Sequence, residues 1–179
     1  RKQVAALIGA EPDEILFTSG GTESNNTILY AHRTRPTLHP QGEIQKFHII
    51  TSSIEHDAIL QPCKKLAITA NNRGGGMPTT KITQLPVDEH GMVNPDDITN
   101  FITKTGGQYH GYNTVLVSIM FANNEVGTIQ PIKEISEICK KYQIPFHTDA
   151  VQAVGKIPID VKELGVDALS ISSHKINGP

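Results

Sequence analysis

The chain has 179 residues, 37% of them hydrophobic, enough for one domain with a core of ordinary size. Its 16 basic and 18 acidic residues leave a formal net charge of −2 and are scattered along the chain. They make no basic footprint for nucleic acid, so small molecules or proteins are the expected partners. No apolar run approaches the roughly 20 residues of a membrane helix, and two cysteines, Cys63 and Cys139, make neither a disulfide framework nor a metal-ligand cluster.

In chain order, "RKQVAALIGA" predicts a helix, with no initiator Met before it. "ILFTS" (15–19) is short, apolar and β-branched and predicts a strand running straight into "GGTESNNTILYAH", where Ile28, Leu29 and Ala31 have helical spacing. After a polar loop at 34–46, "FHIITS" (47–52) predicts a strand, and "HDAILQPCKKLAITA" (56–70) a helix with Ile59, Leu60, Cys63 and Leu66 on one face despite Pro62. "NNRGGGMPTTK" (71–81) reads as a Gly-rich surface loop, too irregular in its glycines to cradle a phosphate. "NPDDITNFITK" (94–104) carries the marks of a helix start: Asn94 as N-cap, Pro95 in the first helical position, then two acids.

"TVLVSIM" (114–120) predicts a buried strand and "IKEISEICKKY" (132–142) a helix with Ile132, Ile135, Ile138, Cys139 and Tyr142 along one stripe. "PFHTD" (145–149) and "DALSISS" (167–173) predict two more strands. Strands alternating with helices predict an α/β domain: a mainly parallel sheet with helices on both faces. Both cysteines fall on apolar helix faces and read as structural. The chain stops in the predicted turn "HKINGP" and is expected to be a fragment of a longer protein.

In such a sheet, ligands sit beyond the carboxyl ends of the strands. Each predicted strand runs into a polar stretch: "SGGTESNN", "SIEHD", "FANNEVG", "DAVQ" and "SHK". Gly20 and Gly21 permit a tight turn into a helix whose first N–H groups attract an anion, with Thr22 adding a hydroxyl. Taken alone, that Gly-Gly-Thr serves equally as a plain strand-to-helix turn. Asp149 is a helix cap or the partner of a protonated ring nitrogen; His56 is a loop histidine or an imidazole stacked on a planar ring. Asn123, Asn124 and Glu125 form a turn or offer a donor to a ligand oxygen. Lys175, just past a buried strand and beside His174, is either solvated or an amine available for a Schiff base. Pyridoxal phosphate needs an amine for its aldehyde, a carboxylate for its ring nitrogen, an anion site for its phosphate and a flat group against its ring. These five loops supply all four.

The stretches "FTSGGTESNN", "SSIEHDAI", "FANNEVGTIQP" and "FHTDAVQAVGKIPIDVKELGVDALSISSHKINGP" resemble the pyridoxal-phosphate-dependent cysteine desulfurases and selenocysteine lyases of the class V aminotransferase superfamily. The resemblance runs through nearly the whole chain in order and spacing. It implies the large domain of a fold type I transferase, residues 1–179 forming part of it, with the small domain and a catalytic cysteine loop outside. It further implies that Lys175 carries the cofactor and acts as base, that Asp149 pairs with the ring nitrogen, and that His56 stacks on the ring and assists proton transfer. Asn124 and Gln152 would contact the ring's phenolic oxygen or the substrate, and Gly21, Thr22, Ser172 and His174 would hold the phosphate.

Ser173 stands where relatives often have Gly, and "INGP" replaces "IYGP" or "FYGP", so Asn177 is a departure. The implied reaction removes selenium from selenocysteine, or sulfur from cysteine, to leave alanine. The glycine-turn, His56 and Asp149 stretches and the loops at 34–46 and 71–81 lean towards selenocysteine lyase. Implied with it are a homodimer, an acceptor protein for selenium or sulfur, and a cytoplasmic location, with the mitochondrion open. A non-catalytic cofactor-binding scaffold, which would release no alanine, and an aminotransferase, which would yield a keto acid, are the competing readings.

Overall fold

The computed structural model describes residues 1–31, 46–72, 80–103, 108–109 and 112–178. All of the expected loop at 34–46 except Lys46, and most of that at 71–81, therefore lie outside the described residues. In chain order the elements are α1 (Lys2–Ile8), α2 (Gly21–Tyr30), β1 (Phe47–Ser52), α3 (Asp57–Asn72), β2 (Thr80–Leu85), α4 (Pro95–Thr103), β3 (Gln108–Tyr109), β4 (Tyr112–Ser118), α5 (Ile132–Lys141), β5 (Phe146–Asp149), α6 (Val161–Leu164) and β6 (Ala168–Ser170). Short 3-10 turns occupy Pro12–Glu14 and Ser173–Ile176.

Five strands run parallel in the order β2-β1-β4-β5-β6, and β3 pairs antiparallel with the start of β4. Alternation along β1 feeds two apolar clusters, one on each face. Phe47 and Ile49 pack with Leu29 of α2 and with Ile59, Cys63 and Leu66 of α3. Ile50 joins Ile98 and Ile102 of α4 and Ile132, Ile135 and Cys139 of α5. A bulge in β4 keeps this division intact: His48 pairs with Thr114 and Ile49 with Leu116, so Val115 is extra. The predicted layering, a mainly parallel sheet covered on both faces, is the one observed.

Two buried histidines tie the strands together. His147 lies between Ser118 Oγ of β4 and Ser170 Oγ of β6, at 2.9 Å on each ring nitrogen. His48 spans Thr114 Oγ1 at 3.0 Å and Thr83 Oγ1 at 2.8 Å. Burial lowers the pKa of each to about 4, helped at His48 by the charge of Lys81, so both stay neutral at physiological pH.

Three sequence expectations are corrected. Residues 15–19 form no strand, with Leu16 73% and Phe17 61% exposed and Arg1 over the Phe17 ring at 5.1 Å. The segment has strand composition, but among the described residues no neighbouring strand offers it a ladder. The Gly-rich run is also shorter than expected, because Asn71 and Asn72 end α3 while Thr80 and Lys81 open β2 beside Phe47 and His48. Sequence pattern does not announce this edge strand, because only Thr80 and Leu85 are buried in it. Finally, the strand expected over 167–173 ends at Ser170, and the chain then tightens into the 3-10 turn that carries Lys175.

Other expectations are met. Asn94 Oδ1 accepts the Asp96 N–H at 3.0 Å at the start of α4. Both cysteines are buried, and burial pushes each thiol up to about 12, which keeps them inert.

Candidate active site

The sheet grows from β1 towards β2 on one side and from β4 through β6 on the other, so the strand order reverses between β1 and β4. A cavity of about 240 Å³ opens at the carboxyl ends of these strands. The nine residues to which the resemblance gives a role line it, whereas Gly20, Asn123 and Glu125 do not. The turn after β1 contributes His56, the one after β4 Asn124, the one after β5 Asp149 and Gln152, and the one after β6 Ser172, His174 and Lys175. The N-terminus of α2, which lies against β5 and β6, adds Gly21 and Thr22.

Local structure fixes most of these groups. Asp149 is 6% exposed, with Oδ2 accepting from Asn25 Nδ2 at 2.6 Å and Oδ1 accepting the Val151 N–H at 3.0 Å. His56 begins α3, and its Nδ1 accepts the Ala58 N–H at 3.1 Å. In the neutral ring that bond puts the proton on Nε2. Ser172 Oγ and His174 Nδ1 are 2.8 Å apart. Gln152 Oε1 accepts from Lys156 Nζ at 2.7 Å. The Lys175 side chain is exposed and makes no hydrogen bond or ion pair with a described residue. The polar run after β4 divides its labour. Asn123 is buried and builds the turn, accepting the Glu125 and Val126 N–H groups and donating to Ile54 O, while Asn124 faces the cavity.

The turn bearing Lys175 is held from both ends. Asn177 closes it with φ 56°, a left-handed conformation that asparagine tolerates well, so the departure at this position suits the backbone. Gly155, at φ +79°, lies so close that a Cβ there would stand 2.7 Å from Ile176 Cγ2.

At the other wall, a Cβ on Gly21 would lie 2.9 Å from Val151 Cγ2 and 3.6 Å from Ser172 Cβ. Glycine here keeps the first N–H groups of α2 near Ser172. Gly21→Ala is expected to cost about 1–3 kcal/mol through overpacking and to weaken the binding of a phosphate-bearing ligand. Urea midpoints and a ligand titration on the same protein measure both.

Two functional candidates escape a reading of the sequence. Asn25 is 1% exposed and lines the cavity, and its Oδ1 has no partner. Its signal is positional, since Gly21, Asn25 and Leu29 recur at four-residue intervals on the inner face of α2. Glu55, beside His56, is 5% exposed; its Oε1 accepts from Ser52 Oγ at 2.6 Å and from the Met120 N–H at 2.8 Å. Burial raises its pKa to about 8 against the pull of those two bonds, and the Asp149 charge adds to the rise. Among the described residues no cluster of metal-ligating side chains occurs.

Comparison with known proteins agrees with this geometry. The family described as Aminotransferase class-V matches residues 1–179. The chain is 51% identical over 183 residues to "Cysteine desulfurase IscS" of Methanosarcina thermophila, covering all of this chain and 39% of that protein. It is 45% identical over 179 residues to "Cysteine desulfurase, mitochondrial" of Candida maltosa, covering 32% of it. Among solved structures, "SspA in complex with cysteine" superposes with a TM-score of 0.82 at 35% identity, over 99% of this chain and 45% of that one. The chain thus spans about two fifths of the length of the first of these relatives. With the parallel sheet, the strand-end cavity and a match along its full length, the chain belongs to the class V aminotransferase family.

Proposed function

We propose that this chain is the cofactor-binding part of a pyridoxal-phosphate enzyme that removes sulfur from L-cysteine and leaves L-alanine. The observation that carries the reading is the convergence, in one cavity, of a free amine, a buried carboxylate, an anion cradle and an imidazole. The fit is supported further by the Gly21 approach, which a single Cβ would fill, and by the orphaned Asn25 Oδ1. Cysteine is preferred over selenocysteine because the similar curated proteins carry the name cysteine desulfurase.

In this reading Lys175 holds the cofactor through Nζ, Asp149 faces the ring nitrogen, and His56 lies against the ring. Gly21, Thr22, Ser172 and His174 bind the phosphate by backbone N–H and side-chain donors. Asn124 and Gln152 orient the phenolic oxygen or the substrate. When bound, the cofactor withdraws electrons from the substrate α-carbon. Asp149 sustains that withdrawal by keeping a proton on the ring nitrogen, and its two protein hydrogen bonds hold it in place. Once its amine is free, Lys175 Nζ accepts the α-proton of the substrate. Cys63 and Cys139 are too deeply buried to take up sulfur, so the accepting thiolate comes from elsewhere, and the product passes to an acceptor protein. The active assembly is a homodimer, and its location is the cytoplasm, with mitochondrial relatives as the alternative. Among the described residues no helix is long and apolar enough to cross a membrane.

The test uses a full-length protein containing this chain, loaded with pyridoxal phosphate and supplied with L-cysteine or L-selenocysteine. With a dithiol reductant present to supply the two electrons that take the removed sulfur from persulfide to sulfide, alanine and sulfide from cysteine are the expected products. Alanine from selenocysteine alone would move the assignment to selenocysteine lyase, a keto acid to aminotransferase, and loaded protein yielding neither to a scaffold.

A further inference from the structure

Glu55 plays no part in the reaction just described, yet it sits at the switch point of the sheet. It is almost wholly enclosed between the ends of β1 and β4. One oxygen, Oε1, accepts from Ser52 at the end of β1 and from Met120 just past β4. The other, Oε2, is buried with no hydrogen-bond partner. No cation pairs with it among the described residues. The ionisable groups that act across this space are Asp149 from β5 and Cys63 from α3, and neither supplies positive charge. A carboxylate with one bare oxygen in such an enclosure is strongly disfavoured, whereas a carboxylic acid needs no countercharge.

We propose that Glu55 is held as a neutral carboxylic acid and acts as a positioning residue: it clasps β1 to β4, sets the turn that presents His56, and adds no second negative charge beside Asp149. The consequence for the cofactor rests on the pyridoxal-phosphate reading; the protonation does not. Glu55 differs in this from Asp149, which is supported by Asn25 and the Val151 N–H on separate oxygens. Two enclosed acids thus lie in unlike surroundings, one with a donor on each oxygen and one with a bare oxygen.

The pH effect has a definite sign. With a folded pKa of about 8 against an ordinary 4.5, the folded state holds a proton that the unfolded state releases. The contribution of Glu55 is therefore complete below pH 4.5 and is lost as pH rises to about 8, by up to about tenfold in the folding equilibrium per pH unit. His48 and His147 act in the opposite direction, losing stability as pH falls from 6.5 towards 4. Subtracting a Glu55→Gln profile from the wild type isolates the Glu55 part.

The experiment uses this chain without cofactor. Infrared difference spectra between wild type and Glu55→Gln should contain a protonated carboxyl stretch at pH 6 that fades as pH passes about 8. Glu55→Gln should lose the downward stability slope and keep the wild-type imidazole NMR signals of His56, while Glu55→Ala should shift those signals. A carboxylate band alone at pH 6 overturns the neutral acid, and unshifted His56 signals in Glu55→Ala overturn the positioning role. If Glu55→Gln fails to fold, the wild-type carboxyl stretch, tracked alone through the same pH range, decides the protonation. Added pyridoxal phosphate gives a separate arm: Glu55→Gln should bind it within about threefold of wild type and Glu55→Ala at least about tenfold more weakly. No binding by the wild type would count against the cofactor reading and leave the infrared result standing.

Discussion

Lys175→Ala is expected to abolish the visible absorbance of lysine-linked pyridoxal phosphate while leaving the fold unchanged. The side chain is exposed and bonds to no described residue, so its removal should alter stability by no more than about 0.5 kcal/mol. In the proposed mechanism the same change removes the covalent anchor and the base that accepts the α-proton, so a full-length enzyme with this substitution should show no measurable alanine formation above background. Absorbance spectra, thermal melts and alanine assays on one preparation separate the two effects. Wild-type absorbance in Lys175→Ala would assign the amine to another residue.

Asp149 is the second site where a large effect is expected, and here folding and chemistry are both touched. Asp149→Ala strands Asn25 Nδ2 and the Val151 N–H in a buried place, at a cost of about 1–3 kcal/mol. Asp149→Asn is gentler but cannot satisfy both donors, because one side of its amide is itself a donor. In the proposed mechanism either change removes the negative charge that faces the ring nitrogen. Turnover in the full-length enzyme should fall by about a hundredfold or more, as when a fixed electrostatic partner is deleted from other active sites, and Asp149→Asn should show that loss with less destabilisation than Asp149→Ala. Near wild-type kcat in Asp149→Asn would remove Asp149 from the mechanism.

How legible each part is in the sequence depends on where its partners lie. β1, β4, β5 and α5 are written in short-range patterns: "FHIITS" is buried throughout, and α5 repeats isoleucine at helical spacing. The segment at 15–19 has the same composition, but a strand exists only if a neighbour completes its ladder, and that neighbour is not encoded in the segment. β2 departs in the opposite sense, since an edge strand needs little apolar character once β1 lies beside it. Seven of the nine candidate residues can be found because the ends of parallel strands converge on one side of the sheet, while Gly21 and Thr22 follow no strand and are marked by the glycine turn into α2. Asn25 and Glu55 cannot, because what marks them is burial of a polar atom, produced by contacts 124 and 65 residues away.

The approach of Gly155 to Ile176 has a consequence for how the site moves. The loop after β5 carries the carboxylate and the turn after β6 carries the amine, and the two meet where only a hydrogen atom fits between them. The contact fixes the backbone that follows Asp149 against the backbone that carries Lys175, so the mount of the amine is set by the loop of the carboxylate. The lysine side chain makes no bond to a described residue, and any freedom its amine needs to exchange partners lies in its four methylenes.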